Sequence, residues 1–134
     1  MPGSRQVNVN VGIETSPQAG GVVAGKPEMV GSLGSPSSIS AGTSIAHNMN
    51  STDDEAWVFV VGNGGAIDLS SNPQIAVPTR IGQKLAIIGT SDTNTVKIEH
   101  GNGVVQNGEI ILGEKQIIRY MALSLTEWTE SGRQ

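Results

Sequence analysis

The sequence predicts an all-β domain behind a long N-terminal arm, and two observations carry this prediction. The composition changes near residue 50, since residues 1–50 have four charged groups and no aromatic side chain, whereas residues 51–134 hold all four aromatics. Residues 51–134 are also divided into short apolar or alternating runs by Gly and Asn-Gly turns, a pattern typical of closely spaced strands. We therefore expect an extended arm at residues 1–50 and a β domain at residues 51–134.

The arm contains one strand-like segment. Val7, Val9, Val11 and Ile13 alternate with asparagine or glycine, the period-two pattern of a half-buried strand. The segment has no local hairpin partner, so it could pair with its own domain or add to a sheet edge of another chain. Residues 18–50 have the composition of a linker with isolated apolar residues, which fits either disorder or an arm that becomes ordered on a partner.

The β domain begins with strong strand signals. Residues 57–61 are apolar throughout and rich in aromatic and β-branched side chains, which predicts a central buried strand with Trp57 in the core. Residues 84–88 predict a second buried strand, and residues 95–99 alternate. Asn107-Gly108 separates two apolar runs, which predicts a hairpin. Eight or so strands at roughly ten-residue spacing indicate a sandwich or barrel.

The search for reactive groups predicts a non-enzymatic protein without cofactor or metal. His47 and His100 are far apart in the sequence and no other ligand clusters with either, so we expect two unrelated surface histidines. The acidic run at residues 53–55 lacks the spacing of a calcium loop and leads into the Trp57 strand. The chain has no cysteine, and its net charge of −4 argues against a nucleic-acid partner. No apolar stretch approaches the length of a membrane span, so we expect no membrane partner.

Three motifs over residues 57–134 resemble a module of bacteriophage structural proteins. Residues 82–89 match a "G-Q-x-L-x-I-x-G" strand that leads into a Ser/Asp/Asn/Thr loop, and residues 107–113 match an "N-G-x-I-x-L-G" arm. Residues 128–130 match a closing "W-x-E". The chain departs from the module at residues 121–123, where an aromatic often stands. Similar modules occur in trimeric capsid decoration (cement) proteins and in head- or tail-fibre domains.

The resemblance implies a virion structural protein, made in the host cytoplasm and located on the outer surface of the capsid. Such a subunit trimerises on the shell, binds the major capsid protein and stabilises the head. The fold it implies is a small antiparallel sandwich or barrel, jelly-roll-like or β-tulip-like, whose arm reaches across neighbouring capsid subunits. The shell contacts would then be made by Val7, Val9, Val11 and Ile13. The β core or its inter-subunit face would be formed by Leu85, Ile87, Val96, Ile98, Ile110 and Leu112.

Two other functions remain open from the sequence. A head- or tail-fibre or adaptor subunit would bind a host receptor through loops rich in Tyr, Trp or Arg, whereas the loops here consist of Gly, Ser, Asn, Thr and Asp. A carbohydrate-binding module would need an aromatic platform, for which Trp57 and Trp128 are the large candidates. Because four aromatics are a poor supply for a small core, we also expect oligomerisation, which lets copies share apolar surface.

Overall fold

The computed structural model describes residues 27–134, which form ten strands in two sheets and no helix. The prediction of an all-β fold is confirmed for this part of the chain. The strands are β1 (Glu28–Val30), β2 (Ser37–Ile39), β3 (Glu55–Gly62), β4 (Ile67–Asp68), β5 (Lys84–Gly89), β6 (Val96–Ile98), β7 (Val104–Val105), β8 (Ile110–Leu112), β9 (Ile117–Met121) and β10 (Trp128–Arg133).

The large sheet has seven strands in the order β1-β3-β5-β9-β10-β7, and β2 also pairs with β3. β1 and β2 run parallel to β3 and lie end to end along its edge away from β5, with β1 at residues 56–58 and β2 at residues 60–62. The small sheet contains β4, β6 and β8.

Both sheets are mixed, which differs from the antiparallel sheets expected from the sequence. β3 and β5 are parallel, as are β7 and β10 in the large sheet and β4 and β6 in the small sheet. β9 is antiparallel to both β5 and β10. The parallel pair of β3 and β5 arises because the chain leaves the large sheet after β3, forms β4 in the small sheet, and returns for β5. A parallel pair needs such a crossover connection.

The hairpin predicted at Asn107-Gly108 is wrong. β7 pairs with β10 in the large sheet and β8 pairs with β6 in the small sheet, so the turn carries the chain from one sheet to the other. Gly108 has a φ of 74°, and its amide donates to the Gln106 carbonyl at 3.0 Å. A type I′ turn requires a positive φ at both of its central residues. Among the described residues, Gly108 has a positive φ and Asn107 does not.

One core collects inward-facing side chains from both sheets. Val58 and Ile87 of the large sheet belong to the same buried cluster as Val96 and Ile110 of the small sheet. Tyr120 and Trp128 are the two aromatics of this cluster, and the remaining members are aliphatic. β-Branched and leucine side chains therefore fill a core that the aromatic content alone would leave thin.

Residues 28–49 belong to this core, whereas the sequence placed them in the arm. They contribute two strands and four buried apolar side chains, Val30, Ile39, Ile45 and Met49. Their strands add to the edge of β3 through main-chain hydrogen bonds, which composition does not show. Each of these isolated apolar residues fills one position of the core, so this segment is buried without containing a continuous apolar run.

Candidate functional site

The outer face of the large sheet is apolar where the strands of its centre meet. Along β3, Ala56, Val58 and Val60 point into the core, so Trp57 and Phe59 point outward. The same alternation turns Ala86 and Ile88 of β5 to the outer face, and Ile117 of β9 packs against them. Both faces of these strands are therefore apolar, as the continuous runs in the sequence indicate.

Strand register brings these outward side chains into two adjacent rows. Trp57 pairs with Ala86, which pairs with Arg119. One step along the strands, Phe59 pairs with Ile88, which pairs with Ile117. The small side chain of Ala86 lies between two large ones, so the first row dips in its middle.

These rows form a groove, which we call the apolar groove. Its cavity volume is about 320 Å³. Nearly all of its lining is apolar, and two cations, Lys115 and Arg119, contribute to its wall. The apolar lining residues are Leu33, Trp57, Phe59, Ala86, Ile88 and Ile117.

Local contacts position two partly exposed side chains of the groove, Trp57 and Leu33. The Trp57 indole Nε1 donates to the Glu55 carboxylate at 2.8 Å, which orients a ring that remains 40% exposed. Leu33 comes from the turn between β1 and β2, where Ser32 and Ser35 exchange main-chain hydrogen bonds of 3.1 and 3.2 Å. Leu33 is 58% exposed. The break between the two edge strands thus places an aliphatic side chain beside the sheet face.

Trp57 was expected in the core, and that prediction is wrong. The buried tryptophan is Trp128, whose Nε1 donates to the Ala76 carbonyl at 2.8 Å and whose ring meets His47 edge-on at 5.6 Å between centroids. A strand that is apolar on both faces gives no sequence signal for which face is covered. Trp57 lies on the outer face because Ala56 and Val58 occupy the inner one.

Both histidines act as hydrogen-bonding groups of the fold. His47 is buried, so its predicted surface position is wrong. Its Nδ1 accepts from the Met49 amide at 3.0 Å and its Nε2 lies 3.0 Å from the Val77 carbonyl, which fits a hydrogen bond donated by Nε2. His100 Nδ1 accepts from the Gln106 amide at 3.2 Å. Among residues 27–134 no group of three or more acidic or histidine side chains is placed to hold a metal ion.

Charged clusters elsewhere are paired with one another. On the small sheet Lys97 Nζ lies 3.4 to 3.6 Å from Asp68, Glu99 and Glu109, and the charge of Asp68, followed by that of Glu109, raises the pKa of Lys97. On β10, Arg133 donates to both carboxylate oxygens of Glu130 at 2.7 and 2.9 Å. That hydrogen bonding lowers the pKa of Glu130. The exposed carboxylates around Lys97 contribute little stability, whereas the pair of Arg133 and Glu130 is bidentate and its side chains are 31% and 13% exposed.

The structure places the residues singled out from the sequence in two groups. The six candidates for the core or an inter-subunit face, Leu85, Ile87, Val96, Ile98, Ile110 and Leu112, all lie in the core of the single chain, each at most 5% exposed. The four candidate arm contacts, Val7, Val9, Val11 and Ile13, lie outside the described residues. The apolar groove was not predicted, although its signal was present in the uninterrupted apolar runs of β3 and β5.

Comparisons with known proteins give no relative from which to transfer a function, since no family model, curated protein or solved structure matches the chain. Within the part of the chain that the structure describes, no helix has the length and apolar character to cross a membrane.

Proposed function

We propose that the chain is a non-enzymatic structural subunit of a virion, a decoration or cement protein that trimerises on the head shell and stabilises it. Its partners are the major capsid protein and further copies of itself. The observation that carries this proposal is the apolar groove, which offers an exposed apolar surface for contact with another protein. The two sheets around one core also favour a β-sandwich of the kind used in such shells.

The groove fits assembly better than small-molecule chemistry. Catalytic and ligand sites combine an apolar wall with a few convergent polar groups, whereas the groove has Lys115 and Arg119 at one side and apolar side chains elsewhere. A carbohydrate site would pair the exposed Trp57 ring with several hydrogen-bonding groups. Glu55, which lies beside the ring, already accepts from Trp57 itself.

A receptor-binding fibre or adaptor subunit is the alternative from the sequence, and the exposed side chains favour it less. Among the described residues Trp57 is the aromatic with large exposure, and it lies on a sheet face. The exposed loop residues Leu123 and Leu125 are aliphatic. Receptor hot spots are enriched in Trp, Tyr and Arg, so a receptor surface is expected to present such residues on its loops.

Co-sedimentation with empty capsid shells tests the proposal. The full chain is expected to pellet with shells assembled from the major capsid protein of the encoding virus. Cross-linking of the bound material is expected to yield a trimer of about 42 kDa, three times the chain mass of 13.9 kDa. Deletion of residues 1–15 is expected to abolish attachment and leave the circular dichroism spectrum of the β domain unchanged. A full chain that stays in the supernatant would overturn the proposal, and a truncated chain that still pellets would overturn the arm as the shell contact.

A further inference from the structure

We propose that, in the unattached subunit, residues 7–13 of the same copy occupy the apolar groove. The groove has a volume that suits a short peptide segment. Its volume of about 320 Å³ is roughly twice that of an engineered apolar cavity of about 150 Å³ that binds benzene. It can therefore hold a few aliphatic side chains.

The sequence of residues 7–13 matches this cavity in character. In an extended conformation Val7, Val9, Val11 and Ile13 project from one side, at a spacing of about 6.6 Å between neighbours. Asn8 and Asn10 project from the other side and remain in water. Two or three successive aliphatic side chains can thus enter the groove while the polar side of the segment stays solvated.

The tether reaches the groove without strain. Thirteen residues, 14–26, separate the segment from Pro27, and a chain of that length spans up to about 45 Å. Pro27 precedes β1, and β1 is separated from β9 by β3 and β5, a distance of about 14 Å at the usual strand spacing. A tether of about this length gives an effective concentration in roughly the millimolar range. Docking within one copy is therefore favoured over docking between copies at micromolar protein.

Charge supports the same placement. Glu14 is the single acidic residue of the first 26 residues, and it directly follows Ile13. Lys115 and Arg119 are the cations in the wall of the groove. Glu14 follows the last residue of the alternating segment, so with Ile13 in the groove its carboxylate is within one residue of the groove, and opposite charges attract where the chain turns towards these cations.

The docked state has a consequence for assembly, which rests on the proposed function. The shell-binding segment and the apolar groove cover each other before attachment, so neither is available for premature association. Capture of the segment by the shell uncovers the groove, which then becomes a contact surface between copies. The docking itself is a property of the isolated chain and is tested without shells.

Acrylamide quenching of tryptophan fluorescence in the full chain tests the docking. Trp128 is fully buried, so quenching reports Trp57. The double variant Val9→Asp/Val11→Asp is expected to increase the quenching constant, because charge on the apolar side expels the segment. The matched variant Asn8→Asp/Asn10→Asp adds the same charge on the polar side and is expected to leave quenching at the wild-type level. Equal quenching in wild type and both variants would overturn the docking.

Cysteine cross-linking decides which copy supplies the segment, because the natural chain has no cysteine. The variant Val9→Cys/Ile117→Cys is expected to oxidise to a monomer with altered mobility on a non-reducing gel. A ladder of dimers and trimers would overturn docking within one copy in favour of exchange between copies. Val9→Cys/Ile111→Cys is the control, since Ile111 is exposed on the small sheet and is expected to give no internal cross-link.

Discussion

Single buried side chains join loops that lie far apart in this sequence. Gln83 is fully buried, and its Oε1 accepts from the amides of Thr79 and Arg80 at 2.9 and 3.1 Å. Its Nε2 donates to the carbonyls of Asn50 and Asp53, both at 2.9 Å. One side chain therefore fixes the turn before β3 to the turn before β5.

Gln83→Leu is expected to lower the free energy of unfolding by roughly 2–4 kcal/mol, because buried main-chain donors and acceptors lose their partners. Urea unfolding followed by circular dichroism measures the change. Gln116→Leu is the control, since Gln116 is exposed and a surface change of this kind usually stays within about 0.5 kcal/mol. Equal effects of the two substitutions would contradict a structural role for Gln83.

Tyr120 couples the core to pH. Its hydroxyl donates to Gln106 Oε1 at 2.7 Å, and burial, followed by the nearby charge of Glu130, raises its pKa well above the ordinary value. Below pH 10 the phenol is neutral in both folded and unfolded chains. Above pH 10 the unfolded chain releases this proton and the folded chain keeps it. Tyr120 therefore lowers the free energy of unfolding by about 1.4 kcal/mol per pH unit in that range.

Tyr120→Phe tests this linkage. At pH 7 the variant is expected to be less stable by about 1 kcal/mol, because Gln106 loses a hydrogen-bond partner. Between pH 10 and 11 its stability is expected to fall less steeply than that of the wild type, so the two curves converge. Urea unfolding midpoints of the wild type and the variant, measured across this pH range, test the expectation. Parallel plots of the midpoint against pH would show that Tyr120 does not titrate on unfolding.

At the scale of the strands, the two sheets approach each other closely at Gly89, the last residue of β5. A Cβ added there would lie 2.1 Å from the Gly113 carbonyl oxygen, just after β8. The Gly89 carbonyl also accepts from the Lys115 amide at 2.8 Å. Gly89 and Gly113 end two of the motifs read from the sequence, and the close approach gives a physical reason for glycine at position 89.

Gly89→Ala is expected to destabilise the fold by about 1–3 kcal/mol or more, since the methyl group forces the two backbones apart. Gly132→Ala is the matched control because Gly132 also lies in a strand, with nothing within 4 Å of an added Cβ. Thermal unfolding measures both, and the control is expected to be neutral or slightly stabilising. A neutral Gly89→Ala would show that the two backbones can separate at little cost.

The sequence predicts strands better than it predicts their partners. Apolar runs located β3 and β5, and alternation located β6, because a period of two reports which side chains face inward. The pattern does not report the direction of a neighbouring strand or the sheet to which a strand belongs, so the parallel pairs and the change of sheet at Asn107-Gly108 were missed. β1 and β2 were missed because they are three residues long and depend on the edge of β3.

At the scale of the whole molecule, two of the four aromatic side chains lie in the core and the other two line the groove. Tyr120 and Trp128 fill the core together with aliphatic residues and four apolar residues of the range 27–50, whereas Trp57 and Phe59 lie on the outer sheet face. The sequence shows that these side chains are present but does not show which face of the sheet they lie on. A run that is apolar on both faces fits a strand covered on both faces and a strand with one face open to solvent equally well. Oligomerisation was predicted from a thin core and stays a prediction, and the contact surface proposed for it is the groove.

The extent of the folded unit leads to a prediction for two truncations. Deletion of residues 1–26 keeps every strand and every core side chain described above, so it is expected to preserve a cooperative thermal transition. Deletion of residues 1–50 removes four buried apolar side chains, Val30, Ile39, Ile45 and Met49. At about 1.5–3 kcal/mol each, their loss costs roughly 6–12 kcal/mol.

A loss of that size is comparable with the whole stability of a small domain, about 5–15 kcal/mol. The deletion also exposes the edge of β3 that β1 and β2 cover. The shorter fragment is therefore expected to be unfolded or aggregated, with a collapsed range of amide proton shifts in its NMR spectrum. A well-dispersed spectrum for residues 51–134 would show instead that the β domain begins near residue 50 and that residues 27–50 are an appendage, as the composition alone suggests.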